Sequence, residues 1–345
     1  MTHFKKIVFS LVFLSALTLL AEGPSVEASA LKKHKLTGFT MGTTYAVTVM
    51  GDRSVDAGLL KKRIDSRLAM VNKSMSIFSP TSEISLFNRS KKNALFPISP
   101  DFAWVIGQAN QLHGLTGGAW DGTLKPLVDF WGFGTKGAIT QLPAPDQIDG
   151  LLAQTGFNKI DILENALQKK VASVTLDLGS IAKGFGVDAV ARLIEETGVS
   201  RFIVEIGGEV YARGTKPGNL PWTVGISRPE KGTAVGSLHR SIQLKDMALA
   251  TSGDYRNFVT IDNKSYSHII DPTTGYPVDT GVVSASVIAT NCTFADGLAT
   301  ALMVMPPEKG VRLVNQLDTV ECLIVVRKKD GTFMDWPSDH FPNSQ

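Results

Sequence analysis

The sequence predicts an α+β fold in which helical and strand segments are partly segregated along the chain. Four helical segments lie before residue 200, whereas short strand candidates separated by Gly, Pro, Asn and Asp turns dominate after it. This distribution favours a mostly antiparallel β region flanked by helices over a regular βαβ alternation. With 345 residues, 43% of them hydrophobic, the chain can bury a sizeable core.

The first thirty residues predict a secretory signal peptide that takes no part in the fold. Lys5 and Lys6 precede an apolar run over residues 7–21, and small residues follow up to Ala30, where we expect cleavage. The run is short for a membrane span, which needs about 20 residues, so a cleaved signal is favoured over the alternative of an uncleaved anchor. No cysteine near the end of the run could carry a lipid, and we expect an exported protein that is soluble after cleavage.

Residues 31–345 predict one compact domain without linkers or repeats. Alternating apolar residues at 36–50 indicate a half-buried strand that is interrupted at Met41-Gly42-Thr43. Apolar spacing of three and four residues indicates helices, one of which is capped by Ser99 and stopped by Gly117-Gly118. The predicted helices span residues 56–71, 100–115, 143–156, 180–196, 296–305 and 307–316. The run VASVTLDL before residue 179 and the run ECLIVV near the end are predicted strands.

Composition excludes several classes of function. Lys and Arg outnumber Asp and Glu by 35 to 32, and a scattered net charge of +3 is too small for nucleic-acid binding. Two cysteines, Cys292 and Cys322, exclude a disulfide scaffold and a four-cysteine metal site. After export they could pair, but their strand-like surroundings are equally typical of buried free thiols.

The segment DLGSIAKGFGVD indicates an anion site. Asp177 ends a predicted strand, and the helix that follows carries Lys183 and Gly184 in its first turns. Such a junction can bind a phosphate, because it offers exposed backbone N–H groups, the positive end of the helix dipole and a lysine. The segment is neither a Walker loop nor a GxGxxG fingerprint, so a tight structural turn is an equal reading.

A second cluster comprises TSGDYRNF and YSHIIDPTTGYPV. A hairpin here would bring Arg256 and His268 together, because the turn Asp262-Asn263-Lys264 lies between them. His268 has the intrinsic pKa for proton transfer near neutrality, and Arg256 can hold a phosphate with two N–H groups. A hydrogen-bonded structural histidine is the alternative interpretation of His268.

A third cluster is NCTFADGLATAL. Asp296 and Thr300 are four residues apart at a helix start, so they share a face and could supply oxygen ligands to Mg²⁺. A dipole-stabilised acid beside a packed threonine is as common. Aromatic residues Trp120, Trp131 and Phe133 lie in glycine-rich turns and could stack on a planar ring, although such residues are mostly core. His113 and His239 are interpreted as structural.

Taken together, these segments resemble the ApbE family, the periplasmic FAD:protein FMN transferases. The resemblance rests on eight motifs in order along nearly the whole mature chain: TMGTTYAV, MSIFSPTSEISLFN, GAWDGTLKPLVDFWGFG, DLGSIAKGFGVD, EIGGEVYARG, TSGDYRNF, HIIDPTTGYPV and ADGLATAL. It implies Mg²⁺-dependent cleavage of FAD, transfer of FMN through its phosphate to a Thr or Ser hydroxyl of an acceptor protein, and release of AMP. The implied acceptors are subunits of membrane redox complexes and exported flavoproteins.

The resemblance also implies roles for individual residues. His268 is the candidate base, and a carboxylate is the alternative. Ser180, through its carbonyl, would hold the metal with Asp296 and Thr300. The residues implied or expected to contact FAD are Met41, Phe78, Ala119, Trp120, Asp121, Asp177, Lys183, Arg256 and Ile270.

Two departures from the family pattern bear on function. Phe78 stands where members that transfer FMN often have tyrosine, a position associated with the balance between transfer and hydrolysis. The lipid-attachment cysteine is absent, so the resemblance does not extend to the usual membrane tether. Phe78 keeps open the alternative of an FAD pyrophosphatase that yields FMN and AMP. A non-catalytic flavin-binding protein of the periplasm, in which the same pocket holds FAD without cleaving it, is the other alternative.

Overall fold

An eight-stranded sheet, in which every neighbouring pair of strands is antiparallel, forms the centre of the fold. The computed structural model describes residues 31–52, 55–134, 139, 141–230, 237–254, 258–261 and 264–343. Within these ranges the strands are β1 (Lys32–Thr40), β2 (Thr43–Gly51), β3 (Phe96–Pro97), β4 (Ile160–Leu163), β5 (Ala166–Lys169), β6 (Phe202–Ile206), β7 (Glu209–Arg213), β8 (Trp222–Ser227), β9 (Leu238–Leu244), β10 (Met247–Gly253), β11 (Phe258–Ile261), β12 (Lys264–Ser267), β13 (Val282–Ala289), β14 (Glu321–Arg327) and β15 (Phe333–Pro337). The strand order of the sheet is β1-β2-β6-β7-β10-β13-β14-β15.

Two of the helices begin at capping residues that are visible in the sequence. Over the described ranges they are α1 (Ala57–Met75), α2 (Glu83–Asn88), α3 (Pro100–Leu115), α4 (Lys125–Phe130), α5 (Pro145–Leu152), α6 (Gly179–Glu195), α7 (Cys292–Val304) and α8 (Pro307–Val314). Asp56 caps α1 by accepting from the N–H groups of Gly58 and Leu59, and Ser99 caps α3. In the described part of the chain, no helix combines the length and apolar character that crossing a bilayer requires.

The predicted α+β class is confirmed, with two local differences. The strand predicted at 36–50 is a hairpin, since β1 and β2 pair through Thr40 and Thr43 around the two-residue turn Met41-Gly42. Both turn residues have positive φ, 49° and 72°, as such hairpin turns require.

The strand predicted for the run VASVTLDL is wrong. Its alternating residues are buried, but its backbone hydrogen bonds go elsewhere: the side chain of Asn88 bonds both the N–H and the C=O of Leu176, and the N–H of Asp177 donates to the Gly122 carbonyl. The segment is therefore extended without joining a sheet.

Both faces of the large sheet are covered near its middle. On one face, α6 and α7 pack against each other and against β6, β7, β10 and β13, and α1 packs against α6. The other face is covered by the β8–β9 hairpin, whose Trp222 and Ile242 share a buried cluster with Leu249 of β10. All eight residues of β13 are buried as a result. The sheet thus holds α6 and α7 rigidly side by side.

Close contact between α6 and α7 requires a glycine. A Cβ on Gly184 would collide with the Cys292 carbonyl and would lie 2.9 Å from Cβ of Asp296. We therefore expect Gly184→Ala to lower the free energy of unfolding by about 1–3 kcal/mol, as overpacking does. Gly107 of α3 is the matched control, because a Cβ there meets nothing within 4 Å. Gly107→Ala should be neutral or should stabilise by up to about 1 kcal/mol, measured by urea unfolding. Equal effects of the two changes would contradict the tight contact.

Both cysteines are free and buried. Burial raises the pKa of the Cys322 thiol to about 12 and also raises the pKa of Cys292. Since the thiolate is the reactive form, we expect neither thiol to react with a disulfide reagent in the native protein and both to react after unfolding. Quantitative labelling with and without guanidinium checks this, and a protein without free thiols after unfolding would indicate a disulfide instead.

Candidate functional site

A cavity of about 750 Å³ opens where the first turns of α6 face α7 and the end of β10. Its size lies within the usual range for ligand pockets. Eleven of the residues singled out in the sequence line it: Ala119, Trp120, Asp121, Phe133, Asp177, Ser180, Lys183, His268, Ile270, Asp296 and Thr300. Segments that are distant in the sequence therefore meet at one place.

The beginning of α6 forms one wall. Oδ1 of Asp177 accepts the Gly179 N–H at 2.9 Å, which shapes the turn into the helix. Burial raises the pKa of Asp177, while that N–H and the charge of Lys125 oppose the shift. One turn further on, the Ser180 hydroxyl accepts from Nε1 of Trp120 at 3.1 Å.

Three charged side chains meet beside this wall. Lys183 forms an ion pair with Glu209, and its Nζ lies 3.8 Å from Oδ1 of Asp296. Burial alone would lower the pKa of Lys183, but the two carboxylates outweigh it and raise that pKa. Burial raises the pKa of Asp296, against the effects of Lys183 and of the Gly184 N–H, which donates to Oδ2 at 2.9 Å. With both carboxylates ionised, the three side chains carry one net negative charge.

Hydroxyl groups extend this cluster along α7. The Thr300 hydroxyl lies 3.1 Å from the Ser252 hydroxyl of β10 and donates to the Asp296 carbonyl at 3.3 Å. The hard oxygen donors here are the Asp296 carboxylate, the hydroxyls of Thr300 and Ser252, and the Ser180 carbonyl. Mg²⁺ prefers donors of this kind. No three His, Cys, Asp or Glu side chains cluster at metal-binding range within the described ranges. The donor set therefore fits a cation that completes its shell with water or with oxygens of a ligand.

The segment from Ala119 to Asp121 forms another part of the wall. Both carboxylate oxygens of Asp121 accept hydrogen bonds from other groups of the protein. Its Oδ1 accepts from the N–H and hydroxyl of Thr123 at 2.8 and 2.5 Å, and its Oδ2 accepts the Phe157 N–H at 3.0 Å. Nδ1 of His113 lies 3.0 Å from the Trp120 carbonyl. These contacts fix the loop that presents Trp120 to the cavity.

His268 follows β12 directly, next to the segment that carries Ile270. Its ring packs edge-on to Phe133 with the ring centroids 6.2 Å apart. The predicted β11–β12 hairpin is present, with Phe258 paired to Ser267. His268 thus lies at the end of the hairpin, where its ring reaches the cavity.

Two of the predicted contacts, Met41 and Phe78, are not among the described residues that line the cavity. Met41 lies in the β1–β2 turn, packs against the core and reaches the Gly186 position of α6. Phe78 lies between α1 and α2 with 74% of its surface exposed. Arg256 lies outside the described residues.

Two residues that the sequence analysis did not select belong to the site. Glu209 is 2% exposed and pairs with Lys183, and Ser252 contacts Thr300. The only local signal for Glu209 is an acid directly after Gly207-Gly208 at the start of a strand. Ser252 lies in the segment TSGDYRNF, which the sequence analysis selected for Arg256, but nothing marks this serine itself, because its role arises only when β10 packs against α7.

Comparison with known proteins places the chain in a family. The profile of the ApbE family matches residues 41–324. An FAD:protein FMN transferase of Vibrio cholerae is 40% identical over 332 residues, which cover 96% of this chain and 97% of that protein. The Escherichia coli K12 FAD:protein FMN transferase is 32% identical, with 97% of each chain covered.

Solved structures agree with the sequence relatives. The flavin transferase ApbE from Vibrio cholerae superposes with a TM-score of 0.80 at 38% identity, covering 90% of this chain and 98% of that one. The apo form of the Pseudomonas stutzeri flavinyl transferase ApbE gives a TM-score of 0.81 at 34% identity, covering 90% and 95%. A shared fold, shared length and substantial identity thus coincide, and the chain belongs to the ApbE family of transferases.

Proposed function

We propose that this protein cleaves FAD in a Mg²⁺-dependent reaction and transfers FMN to a Thr or Ser hydroxyl of an acceptor protein, releasing AMP. The observation that carries the proposal is the arrangement of Asp296, Thr300 and Ser252 beside Lys183 in a cavity that also includes His268. The names of the relatives, FAD:protein FMN transferase, support the same reaction.

Different residues of the cavity would hold the cation and interact with the diphosphate. The Asp296 carboxylate and the Thr300 hydroxyl would hold Mg²⁺ together with the Ser180 carbonyl. When bound, the cation neutralises charge on the diphosphate oxygens. The positive end of the α6 dipole adds positive potential at the same wall, and Lys183 offsets one of the two negative charges of Asp296 and Glu209. Asp296 and Glu209 keep the ammonium of Lys183 charged and oriented.

His268 is the group proposed to move the proton. The acceptor hydroxyl oxygen bonds to the FMN phosphorus, its proton goes to the His268 imidazole, and the bond from that phosphorus to the bridging oxygen breaks so that AMP leaves. Holding the two reactants in line is the larger part of such catalysis, and the fixed loop at Trp120 and the turn at Asp177 supply rigid walls for this.

The acceptor proposed is an exported flavoprotein or a subunit of a membrane redox complex whose threonine or serine becomes esterified. This follows from the signal segment proposed for residues 1–30, after whose removal the enzyme would be soluble in the periplasm. Fractionation and the intact mass of the exported protein test this point. A chain that keeps residues 1–30 and stays with the membrane fraction would indicate an anchor instead.

The test of the reaction uses purified protein with FAD, Mg²⁺ and an acceptor domain that contains the modified threonine. The expected result is a mass gain of one FMN on the acceptor with matching AMP, both lost on chelation. Unchanged FAD would contradict the proposal and favour a flavin-binding protein without catalysis.

An FAD pyrophosphatase is the second candidate, and Phe78 is the observation that favours it. The side chain is exposed and lacks the hydroxyl that many transferring members have. If this candidate is right, FMN and AMP appear free and the acceptor mass does not change.

Phe78→Tyr should raise the ratio of acceptor-bound to free FMN by about threefold, the effect of one modest hydrogen bond. Stability should not change, because the site is on the surface. Phe39→Tyr is the matched control, since Phe39 is 87% exposed on β1. The ratio of acceptor-bound to free FMN is measured by mass spectrometry and chromatography. An unchanged ratio for Phe78→Tyr would show that this residue does not set the balance between transfer and hydrolysis.

A further inference from the structure

Asp188 is a buried carboxylate of α6 that belongs to no part of the site described so far. It is 8% exposed and does not line the cavity. Its Oδ1 accepts the Cys292 N–H at 2.8 Å, and its Oδ2 accepts both the N–H and the hydroxyl of Thr293, at 2.8 and 2.5 Å. The carboxylate is thus bonded to the first residues of α7.

The first N–H groups of a helix have no partner within the helix, and here two different side chains accept them. Asn291, the N-cap residue, accepts the Phe294 N–H at 2.8 Å from within the same segment. Asp188 accepts the N–H groups of Cys292 and Thr293 from another helix. The cap from Asn291 stabilises α7 alone, whereas the cap from Asp188 also attaches α7 to α6.

A second contact lies one turn away along both helices. Gly184 precedes Asp188 by four residues, and its N–H donates to Oδ2 of Asp296, four residues after Cys292. Two attachment points one turn apart on each helix define both the axial position and the rotation of α7 relative to α6. Side chains further along the same face of α7 are fixed by the same contacts.

The residues proposed to hold the cation are divided between these two helices. Ser180, whose carbonyl is the proposed ligand, is on α6, whereas Asp296 and Thr300 are on α7. We propose that Asp188 is a positioning residue that sets the distance between these two groups of ligands by fixing the start of α7 on α6. This inference rests on the proposed function, since it assigns Asp188 to the metal site of that reaction.

Asp188→Asn tests the proposal with little change in volume. The amide keeps one acceptor oxygen but turns an NH₂ group towards the start of α7, so at least one buried N–H loses its partner. We expect the Mg²⁺ concentration for half-maximal AMP release to rise about tenfold or more, in line with other groups that orient metal ligands. The Kd for FAD in the presence of a chelator should stay within about twofold of the wild-type value, because Asp188 does not line the cavity.

Asn291→Ala is the matched control. It removes a cap from the same helix end and is expected to lower Tm, but it leaves the attachment to Asp188 in place. A metal requirement that rises equally in Asp188→Asn and Asn291→Ala would overturn the proposal, because both would then act through helix stability. An unchanged metal requirement in Asp188→Asn would overturn it as well.

If Asp188→Asn does not fold, two substitutions of Thr293 with smaller structural effects test the same proposal. Thr293→Val removes only the hydroxyl bond to Asp188, and Thr293→Ser retains it. Thr293→Val should shift the Mg²⁺ requirement in the same direction by a smaller factor, and Thr293→Ser should restore the wild-type value. Identical requirements for the two variants would contradict the positioning role.

Mn²⁺ binding, read from the electron paramagnetic resonance of the free ion, provides a readout besides activity. Weaker Mn²⁺ binding by Asp188→Asn and Thr293→Val than by wild type and Asn291→Ala supports the proposal, and equal binding contradicts it. A wild-type protein that binds Mn²⁺ but does not cleave FAD would contradict the proposed function while leaving this comparison valid.

Discussion

Asp296→Asn is expected to reduce the release of AMP from FAD by about a thousandfold at saturating FAD. The change removes the only carboxylate in the proposed donor set and one of two carboxylates beside Lys183, and a bound divalent cation supplies several kcal/mol of charge stabilisation to such a reaction. The measurement is the rate of AMP release as a function of Mg²⁺ concentration. Binding of FAD, followed by flavin fluorescence in the presence of a chelator, should change much less.

Asp335→Asn is the matched control for this change. Asp335 is a carboxylate of β15 that accepts from Arg240 and pairs with His239 outside the cavity. It should affect stability without affecting the Mg²⁺ requirement. If Asp296→Asn retained more than a tenth of the wild-type rate at ordinary Mg²⁺ concentrations, Asp296 could not be a ligand of an essential cation.

His268→Ala is expected to lower turnover by about 10²- to 10⁴-fold while leaving the Kd for FAD within a few-fold of wild type. A positioned base contributes a factor of this size to proton transfer, and His268 forms only a small part of the cavity wall. Both products, acceptor-bound FMN and free FMN, should fall together if the same base activates the acceptor hydroxyl and water.

The control is His239→Ala, which removes an imidazole that contacts Asp335 and is not among the described residues that line the cavity. A near-normal rate for His268→Ala would assign proton removal to another group, and the carboxylates in the cavity would be the next candidates. Loss of FAD binding together with turnover would indicate that His268 holds the substrate.

Elements with local end signals could be predicted from the sequence. Ser99 as a cap, Pro100 at the first helical position and Gly117-Gly118 after the end define α3 completely, and its predicted range matches Pro100–Leu115. Where the signal is non-local, prediction failed. The run that ends at Asp177 alternates like a strand, but Asn88, a residue far away in the sequence, takes the hydrogen bonds that a neighbouring strand would have taken.

The same division applies to the site. Asp296 and Thr300 were predictable because their four-residue spacing on a helix brings them together in any fold. Glu209 and Ser252 lie in the segments EIGGEVYARG and TSGDYRNF, but their individual roles were not predictable, because each gains its partner only when the sheet places β7 and β10 beside the helices. The interpretation of Asp188 likewise depends on a contact with residues more than a hundred positions away.

The hydrogen bond between Gly184 and Asp296 joins residues 112 positions apart, and this separation has a kinetic consequence. Helices such as α3 can form early from local contacts, whereas we expect α6 and α7 to meet late, because closing long loops and pairing distant strands is slow. During refolding from denaturant, the helical signal should therefore return before the ability to cleave FAD. If the proposed export carries the chain across a membrane unfolded, the chain would be inactive in transit, and catalysis would begin only when long-range assembly is complete.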